Sequence, residues 1–404
     1  MPRHIGIGVI GCGARIRTVL RHTLQGHPEL RVVAGCDPRP DSVEALREAF
    51  ADELTVYDDY HQLVQDPNVQ WVFVGSWNIQ HHDHILAALG TGCHVFAEKP
   101  IATTIDDCLN IYTAQQRTSA MFVIGFTLRY SPHYRRVVDL IRNGAIGEIV
   151  SIEANETLPL DHGGFIMADW RRSTMDSGGH MLEKCCHDID VLNWIVQSRA
   201  RRVASFGGNT VFRPENEPFL EHMGTNDEQA SVYLSRPLHN PANPFSGNHD
   251  IVDHQVAIIE FENNVRATFH TNIHSDLAER RTYICGTKGS LRANVLTGSI
   301  ELRRHGLGHT VEQHGTGTNG GHAVSDVVLG EELANCMLEQ TPPATDMEDA
   351  VTSAITCLSI DQAMHERTLI DLHPHWKQMA MGRKRVHEQL AHPPAATSPR
   401  HAQR

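Results

Sequence analysis

Three groups of residues in this 404-residue chain have the types and spacing to do chemistry. The first is the run Ile10-Gly11-Cys12-Gly13-Ala14-Arg15-Ile16, which follows an apolar stretch. Glycines so placed allow a sharp turn and let backbone N–H groups approach a pyrophosphate at a helix N-terminus. A third glycine, which would serve close helix–strand packing, is replaced by Ile16, so a plain glycine turn competes with this reading. Asp37 ends the second apolar run. An acid there accepts hydrogen bonds from an adenosine ribose and repels a 2′-phosphate, which favours NAD; Arg39 close by keeps NADP open. A loop acid before Pro38 is the alternative for Asp37. The second group is Ala97-Glu98-Lys99-Pro100, at the end of the fifth apolar run. Lys99 can polarise a hydroxyl or carbonyl oxygen there, and a neighbouring cationic ring would lower its pKa toward proton transfer. A solvated lysine is the bland alternative. The third group lies in 178–197, read as one helix. At about 100° per residue, Glu183, His187, Asp190 and Trp194 share a polar stripe, opposite Leu182, Cys185, Ile189, Leu192, Ile195 and Val196. An acid one turn before a histidine orients the imidazole and stabilises its cation. A solvated helix face gives the same spacing.

Other residues carry less. Of 28 histidines, His305, His309, His314 and His322 crowd one Gly-rich stretch, but their spacing matches no common ligand pattern. Glu183 and His187 with His180 or His322 fix no third ligand, so no metal is expected. The nine cysteines include one vicinal pair, Cys185-Cys186, and no C-x-x-C, which argues against a disulfide framework and for a reducing cytoplasm. A net charge of −13 disfavours nucleic acid or an anionic membrane as partner. No apolar run is long enough to span a bilayer, and the N-terminus lacks a secretory pattern, so a cytoplasmic protein is expected.

These groups need elements to position them. Apolar runs at 4–10, 30–36, 70–75, 93–97 and 120–126 read as buried parallel strands. Helix-like stretches near 14–25, 41–50, 59–66, 79–90 and 104–118 alternate with them, which gives βαβ units and a doubly wound sheet. Beyond 127 the rhythm changes. Helices are expected at 132–143 and 178–197 and strands at 148–156, 201–211, 254–262, 265–274, 279–286, 289–294 and 298–304, a mostly antiparallel sheet with an Asn263-Asn264 turn. The Pro-, Asn- and Gly-rich stretch 213–250 reads as a long insertion. A last helix at 346–366 starts with a capping box, Thr345-x-x-Glu348. Domains at 1–126 and 127–379 and a disordered tail over 380–404 follow.

The phrase Gly92-Cys-His-Val-Phe-Ala-Glu-Lys-Pro100, with Ser76 to His81 before it, and the segment Ser177 to Asp190 (SGGHMLEKCCHDID) carry a resemblance. The chain resembles the glucose-fructose oxidoreductase / inositol dehydrogenase / rhizopine catabolism (Gfo/Idh/MocA) family over most of 4–372. The resemblance implies a Rossmann domain, an α+β domain with a large, mostly antiparallel sheet, and NAD(P)-linked redox chemistry at a sugar or cyclitol carbon. It makes Lys99 the catalytic and substrate-binding lysine and His187 the proton acceptor. Glu183 stands where the family has aspartate. It implies cofactor contacts from Gly11, Gly13, Ala14, Arg15, Ile16, Asp37, Ser76, Trp77, Asn78, His81, Glu98, Lys99 and Arg129, with Trp77 in place of a proline. Tyr130, Trp170, Arg171, Asp190 and His322 are implied on the substrate side with Lys99 and His187, and Asp326 is a weaker candidate. Three rivals stand beside a net dehydrogenase. They are redox-neutral sugar chemistry around a tightly held NAD, a non-catalytic NAD-binding regulator, and a zinc hydrolase. Apolar positions on both faces of the second sheet, such as Val256 and Ile258, predict a homodimer or homotetramer.

Overall fold

Glycine-punctuated apolar runs build the first layer. In order they give β1 (Ile5–Ile10), α1 (Ala14–Leu24), β2 (Leu30–Cys36), α2 (Pro40–Phe50), β3 (Thr55–Val56), α3 (Tyr60–Leu63), β4 (Trp71–Val74), α4 (His81–Gly90), β5 (His94–Ala97), α5 (Ile105–Gln115) and β6 (Phe122–Ile124). The strands form one parallel sheet in the order β3-β2-β1-β4-β5-β6. The order reverses between β1 and β4, and there the carboxyl ends of the strands open a crevice. Gly11, Asp37, Ser76 and Lys99 all leave the sheet at that edge. The structure, a computed structural model, describes residues 4–51, 53–225, 231–315 and 322–391, with backbone alone for 322–323 and 385–391.

The second layer follows α6 (Pro132–Arg142). It comprises β7 (Ile149–Thr157), α7 (Leu160–Met167), α8 (Thr174–Ser177), α9 (His180–Glu183), α10 (Cys186–Val196), β8 (Ala200–Gly208), α11 (Phe219–His222), β9 (His254–Phe261), β10 (Arg266–Asn272), β11 (Arg281–Gly286), β12 (Gly289–Asn294), β13 (Ser299–Arg304) and β14 (Glu312–Gln313). Helices α12 (His322–Glu339), α13 (Met347–Glu366) and α14 (His373–Ala391) complete it, with β15 (Ile370–Asp371) between the last two. Its sheet runs β14-β13-β12-β11-β7-β10-β9-β8-β15, with β7 and β10 parallel and the other ladders antiparallel. One face, with Ala257, Ile259, Phe261, Phe269 and Ile284, packs on Ile189 and Leu192 of α10 and Ala354 and Ile355 of α13.

Four expectations need correction. The stretch 178–197 is not one helix. Gly178 and Gly179 take φ of 81° and 94°, conformations that suit glycine, and a turn at Lys184 and Cys185 divides the short α9 from α10. Helix α13 is capped one residue later than expected, by Asp346 and Asp349. Thr345 instead donates from its hydroxyl to the Ile124 carbonyl, 2.8 Å away. Residues 380–391 are helical, because α14 is anchored by buried Trp376 and Met379; only 392–404 of the expected tail lie outside the described residues. Helix α12, which the expected elements above do not include, begins at His322. Its Leu329, Leu333 and Met337 pack against Ile16, Val19 and Leu20, so this late segment returns to the first layer. The 213–250 insertion is partly ordered. Phe212, Tyr233, Phe245 and Ile251 join Leu160, Ile166 and Met167 in a small separate core.

Candidate active site

The turn after β1 is a cradle shaped by its neighbours. A Cβ on Gly11, at φ 82°, would lie 2.3 Å from the Ser76 nitrogen. Only glycine lets the turn pass that closely. Gly13 caps α1 in an extended conformation with no capping side chain, and the space where its Cβ would lie is open. The N-terminal face of α1, with the N–H groups of Ala14, Arg15 and Ile16, is therefore suited to an anion. Ile16, the missing third glycine, is buried, and its Cβ would stand 2.7 Å from a Cβ on Gly75. The small residue needed for close packing has moved from the helix to the neighbouring strand end. Asp37 Oδ2 accepts from the Cys12 N–H at 2.7 Å and Oδ1 from the Arg39 N–H at 2.8 Å, which fixes the carboxylate beside the turn. The Arg39 guanidinium pairs with Asp41, on its own helix. A glycine turn, an uncapped helix and an anchored acid fit NAD.

Arg15 contributes differently from expectation. Its guanidinium donates to Glu98 Oε1 at 2.8 Å, Asp326 Oδ2 at 2.7 Å and Thr127 Oγ1 at 3.0 Å. The side chain ties α1 to the turn after β5 and to α12, so only its backbone N–H faces the cradle role.

At the end of β5, Lys99 is partly buried and its ammonium donates to the Glu183 backbone carbonyl and, at 3.3 Å, to Glu183 Oε1. Arg171 Nε donates to the same Oε1 at 3.2 Å, and Arg171 Nη1 to Asp169 Oδ2 at 2.6 Å. Burial pushes the Glu183 carboxyl up, but Lys99, then Arg171, pull it down to about 2. Burial lowers the Lys99 ammonium, but Glu183, with smaller contributions from Cys186 and Glu98, leaves the pKa raised. The expected lowering of Lys99 is thus not a property of the protein alone. The break at Lys184 explains the pairing. Glu183 ends a separate short turn and points its carboxylate at Lys99 and Arg171, two cations far from it in sequence. His187 is buried on the first turn of α10, edge-on to Phe126 at 6.0 Å.

Several expected site residues serve as scaffold. Asn78 is buried, and its side-chain amide donates to the Ser177 carbonyl at 2.9 Å, joining the two layers. Ser76 Oγ lies 2.9 Å from His84 Nδ1. His81 is buried with Nδ1 2.6 Å from the Pro100 carbonyl oxygen and Nε2 3.0 Å from that of Ser76. It bridges the turns after β4 and β5, rather than facing a cofactor. Arg129 holds Asp190 through two 2.7 Å hydrogen bonds and Asp349 through a third, and Arg129 and Asp190 line a cavity with Asn193, Trp194 and Asp349. Tyr130 is buried, with its hydroxyl 3.1 Å from Thr345 Oγ1. The His322 side chain lies outside the described residues. Among the described residues no group of three His, Cys, Asp or Glu could hold a metal ion.

Asp326, the weaker candidate, anchors Arg15. One feature was missed. Trp77 stacks on Trp170 across the two layers, with ring centroids 5.4 Å apart and planes 13° from parallel. A proline-to-tryptophan change beside the crevice and a W-R pair were the available signals, but nothing in their spacing joined them.

Residues 5–126 match the profile described as "Oxidoreductase family, NAD-binding Rossmann fold" and residues 134–292 that of the "GFO/IDH/MocA C-terminal domain". Inositol 2-dehydrogenase/D-chiro-inositol 3-dehydrogenase of Lactiplantibacillus plantarum is 26% identical over 227 residues, 55% of this chain and 59% of that protein. Inositol 2-dehydrogenase of Salmonella typhimurium is 30% identical over 200 residues, 49% of this chain and 55% of that protein. The chain thus spans little more than half the length of these relatives. Levoglucosan dehydrogenase, in complex with NADH and levoglucosan, superposes with a TM-score of 0.74 at 17% identity, covering 91% of this chain and 99% of that one. Scyllo-inositol dehydrogenase from Lactobacillus casei, with bound NAD(H) and scyllo-inositol, gives 0.70 at 20% identity, covering 92% and 99%. At such identities the two structures show a shared fold. The two matched segments together take in most of the chain, in the order and with the architecture found above, and the protein belongs to the Gfo/Idh/MocA oxidoreductase family.

Proposed function

We propose that the protein is an NAD-dependent dehydrogenase that transfers hydride between a carbinol carbon of a sugar or cyclitol and nicotinamide. The observation that carries this reading is the placement of Lys99. A partly buried ammonium, fixed by Glu183, leaves the sheet at the same edge as the Gly11 turn and Asp37. The N–H groups at the start of α1 would hold the pyrophosphate and Asp37 the adenosine ribose. When bound, the nicotinamide supplies the hydride acceptor.

The chain's own residues then divide the remaining work. Lys99 donates a hydrogen bond to the reacting oxygen and stabilises the negative charge that develops as its proton leaves. His187 takes that proton and returns it in the reverse direction. Glu183 keeps the Lys99 ammonium in place and charged, and Arg171 holds the far side of the same carboxylate. Glu183 is therefore a positioning residue for Lys99, where the sequence alone made it the partner of His187. The inositol and levoglucosan dehydrogenases among the similar proteins support a ring polyol as substrate.

The test is a panel of sugars, cyclitols and glycosides with NAD+ and NADP+, followed by absorbance of the reduced cofactor. At least one ring polyol should yield NADH. Lys99→Met should then cut turnover by roughly 10²–10⁴, the range of a positioned proton-transfer group, while NADH still binds. Turnover within a few-fold of wild type would remove Lys99 from the mechanism. Bound nicotinamide with chemistry but no net NADH release would point to the redox-neutral alternative.

A further inference from the structure

Trp77, Trp170, Arg171 and Phe165 form one continuous stack that crosses from the first layer to the second. Trp77 lies on Trp170, the Arg171 guanidinium carbon is 4.5 Å from the centre of the Trp170 ring, and the same carbon is 4.7 Å from that of Phe165. The edge of Arg171 is held by Glu183, which in turn holds Lys99. The stack therefore abuts the group assigned to the reacting oxygen.

The two indoles are not equivalent. Trp170 is contacted by both the Trp77 ring and the Arg171 guanidinium. The chain on both sides of it is pinned by the insertion. The Ala242 N–H donates to the Ala168 carbonyl at 2.9 Å, the Asp250 N–H to the Arg172 carbonyl at 3.2 Å, and the Thr174 N–H to Asp250 Oδ1 at 2.6 Å. Trp77 is 49% exposed, the value of an indole with one face covered and one open. It leaves the sheet three residues beyond Val74, and Lys99 leaves it two residues beyond Ala97. Val74 and Ala97 are paired neighbours in the β4–β5 ladder, so Trp77 and Lys99 emerge side by side at the crevice mouth.

A fixed, flat, electron-rich surface beside a hydrogen-bonding ammonium fits one chemistry well. A pyranose or cyclitol ring has faces of polarised C–H groups and a rim of hydroxyls. The C–H face gains burial and electrostatic attraction on an indole, while the rim reaches Lys99. An open-chain polyol has the hydroxyls but no rigid face. We infer that the open face of Trp77, backed by Trp170, is a specificity-determining platform for the ring of the substrate. This rests on the dehydrogenase reading and adds a demand for a ring over an open chain. It also moves Trp77 from the cofactor side of the site to the substrate side.

Calorimetry on the full chain tests it. Myo-inositol, D-glucose, levoglucosan and the open-chain sorbitol are titrated into protein saturated with NADH, and NADH is titrated into free protein, for wild type, Trp77→Ala and Trp77→Phe. Trp77→Ala should weaken the ring polyol that wild type binds by tenfold or more, and sorbitol by less. NADH affinity should stay within threefold, which also shows that the variant is folded. Trp77→Phe should recover most of the loss. A parallel loss of NADH affinity would place nicotinamide on Trp77 and overturn the inference, as would an unchanged affinity for the ring polyol. Either result leaves the dehydrogenase reading intact if wild type oxidises that polyol. Absence of polyol binding in the wild-type NADH complex would overturn both.

Discussion

Lys99 is attracted by Glu183 and repelled by Arg171, so the carboxylate shared by the two partly buried cations is the main attraction on Lys99. Glu183→Gln keeps the shape and removes the charge. The Lys99 pKa should fall, and the alkaline limb of the pH–rate profile should move to lower pH. Breaking a buried pair on one side costs roughly 3–5 kcal/mol, so the variant should also be less stable at pH 7. The sign follows from the depressed pKa. Stability supplied by Glu183 is present above its ordinary pKa of 4.5 and is lost as pH falls toward 2. Denaturant unfolding at pH 7 and pH 3 should show a gap between wild type and variant that narrows in acid; an equal gap at both would contradict the charge argument. The two histidines separate in kind. His187→Ala should abolish most turnover with a small change in melting temperature. His81→Ala strips the contacts to the Pro100 and Ser76 carbonyls and should cost about 1–3 kcal/mol of stability, with a smaller loss of turnover. Measuring kcat and Tm for both variants decides the assignment, and a greater kcat loss in His81→Ala would reverse it.

The end of β2 and the start of α1 act together on the cofactor. Asp37 is anchored by two backbone N–H groups, Arg39 is turned to Asp41 and the Arg17 guanidinium is taken up by the Cys12 carbonyl, so the acid is the group poised to select the ribose against a 2′-phosphate. NAD+ should exceed NADP+ in kcat/KM by the equivalent of roughly 1–3 kcal/mol, and Asp37→Ala should erase most of that difference. A wild-type preference for NADP+ would mean that Arg39 leaves Asp41. Elements of this first layer were readable because parallel strands buried on both faces are continuous apolar runs. The exception is β3, whose Thr55 and Val56 are both exposed and leave no such run. Reading failed where long-range contacts override local period. The apolar repeat of 178–197 continues through the break at Lys184, and nothing local tells Glu183 to turn to Lys99, Arg129 to Asp190, or Arg15 to Asp326. Composition misled at α14, where a polar surface conceals Trp376, whose indole N–H donates to the Ala200 carbonyl at 2.6 Å. The proposed pair Lys99 and His187 was visible in short motifs, while the stack of Trp77 on Trp170 depends on the docking of two layers.

The second sheet leaves one face open. On it Phe206 pairs with Val256 and Ala204 with Ile258 across the β8–β9 ladder, and Phe206 and Ile258 are 73% and 57% exposed. The described residues of the 213–250 insertion do not cover them. Its Tyr233 and Phe245 are spent in the small core with α7, and Asp250 ties it to the arm bearing Trp170. Beyond this apolar spot, the same face carries Glu260 with Arg266, Glu153 with Arg281, and Glu301 with Arg292, an alternation of charge that can fix the register of a like surface. The sheet ends in β14 and β15, two residues each, which are poor templates for edge-to-edge growth. Face-to-face association about a two-fold axis is therefore the expected arrangement, because it buries the patch against itself and closes. Light scattering after size exclusion should give a mass of two or four times 45.0 kDa. Ile258→Lys places a cation opposite its own copy and should shift that mass toward one chain at micromolar concentration. The pair Lys99 and Glu183 lies off this face, so NADH binding to the variant should persist. A wild-type mass near 45.0 kDa that is unchanged on dilution would show the open face to be solvated in a monomer.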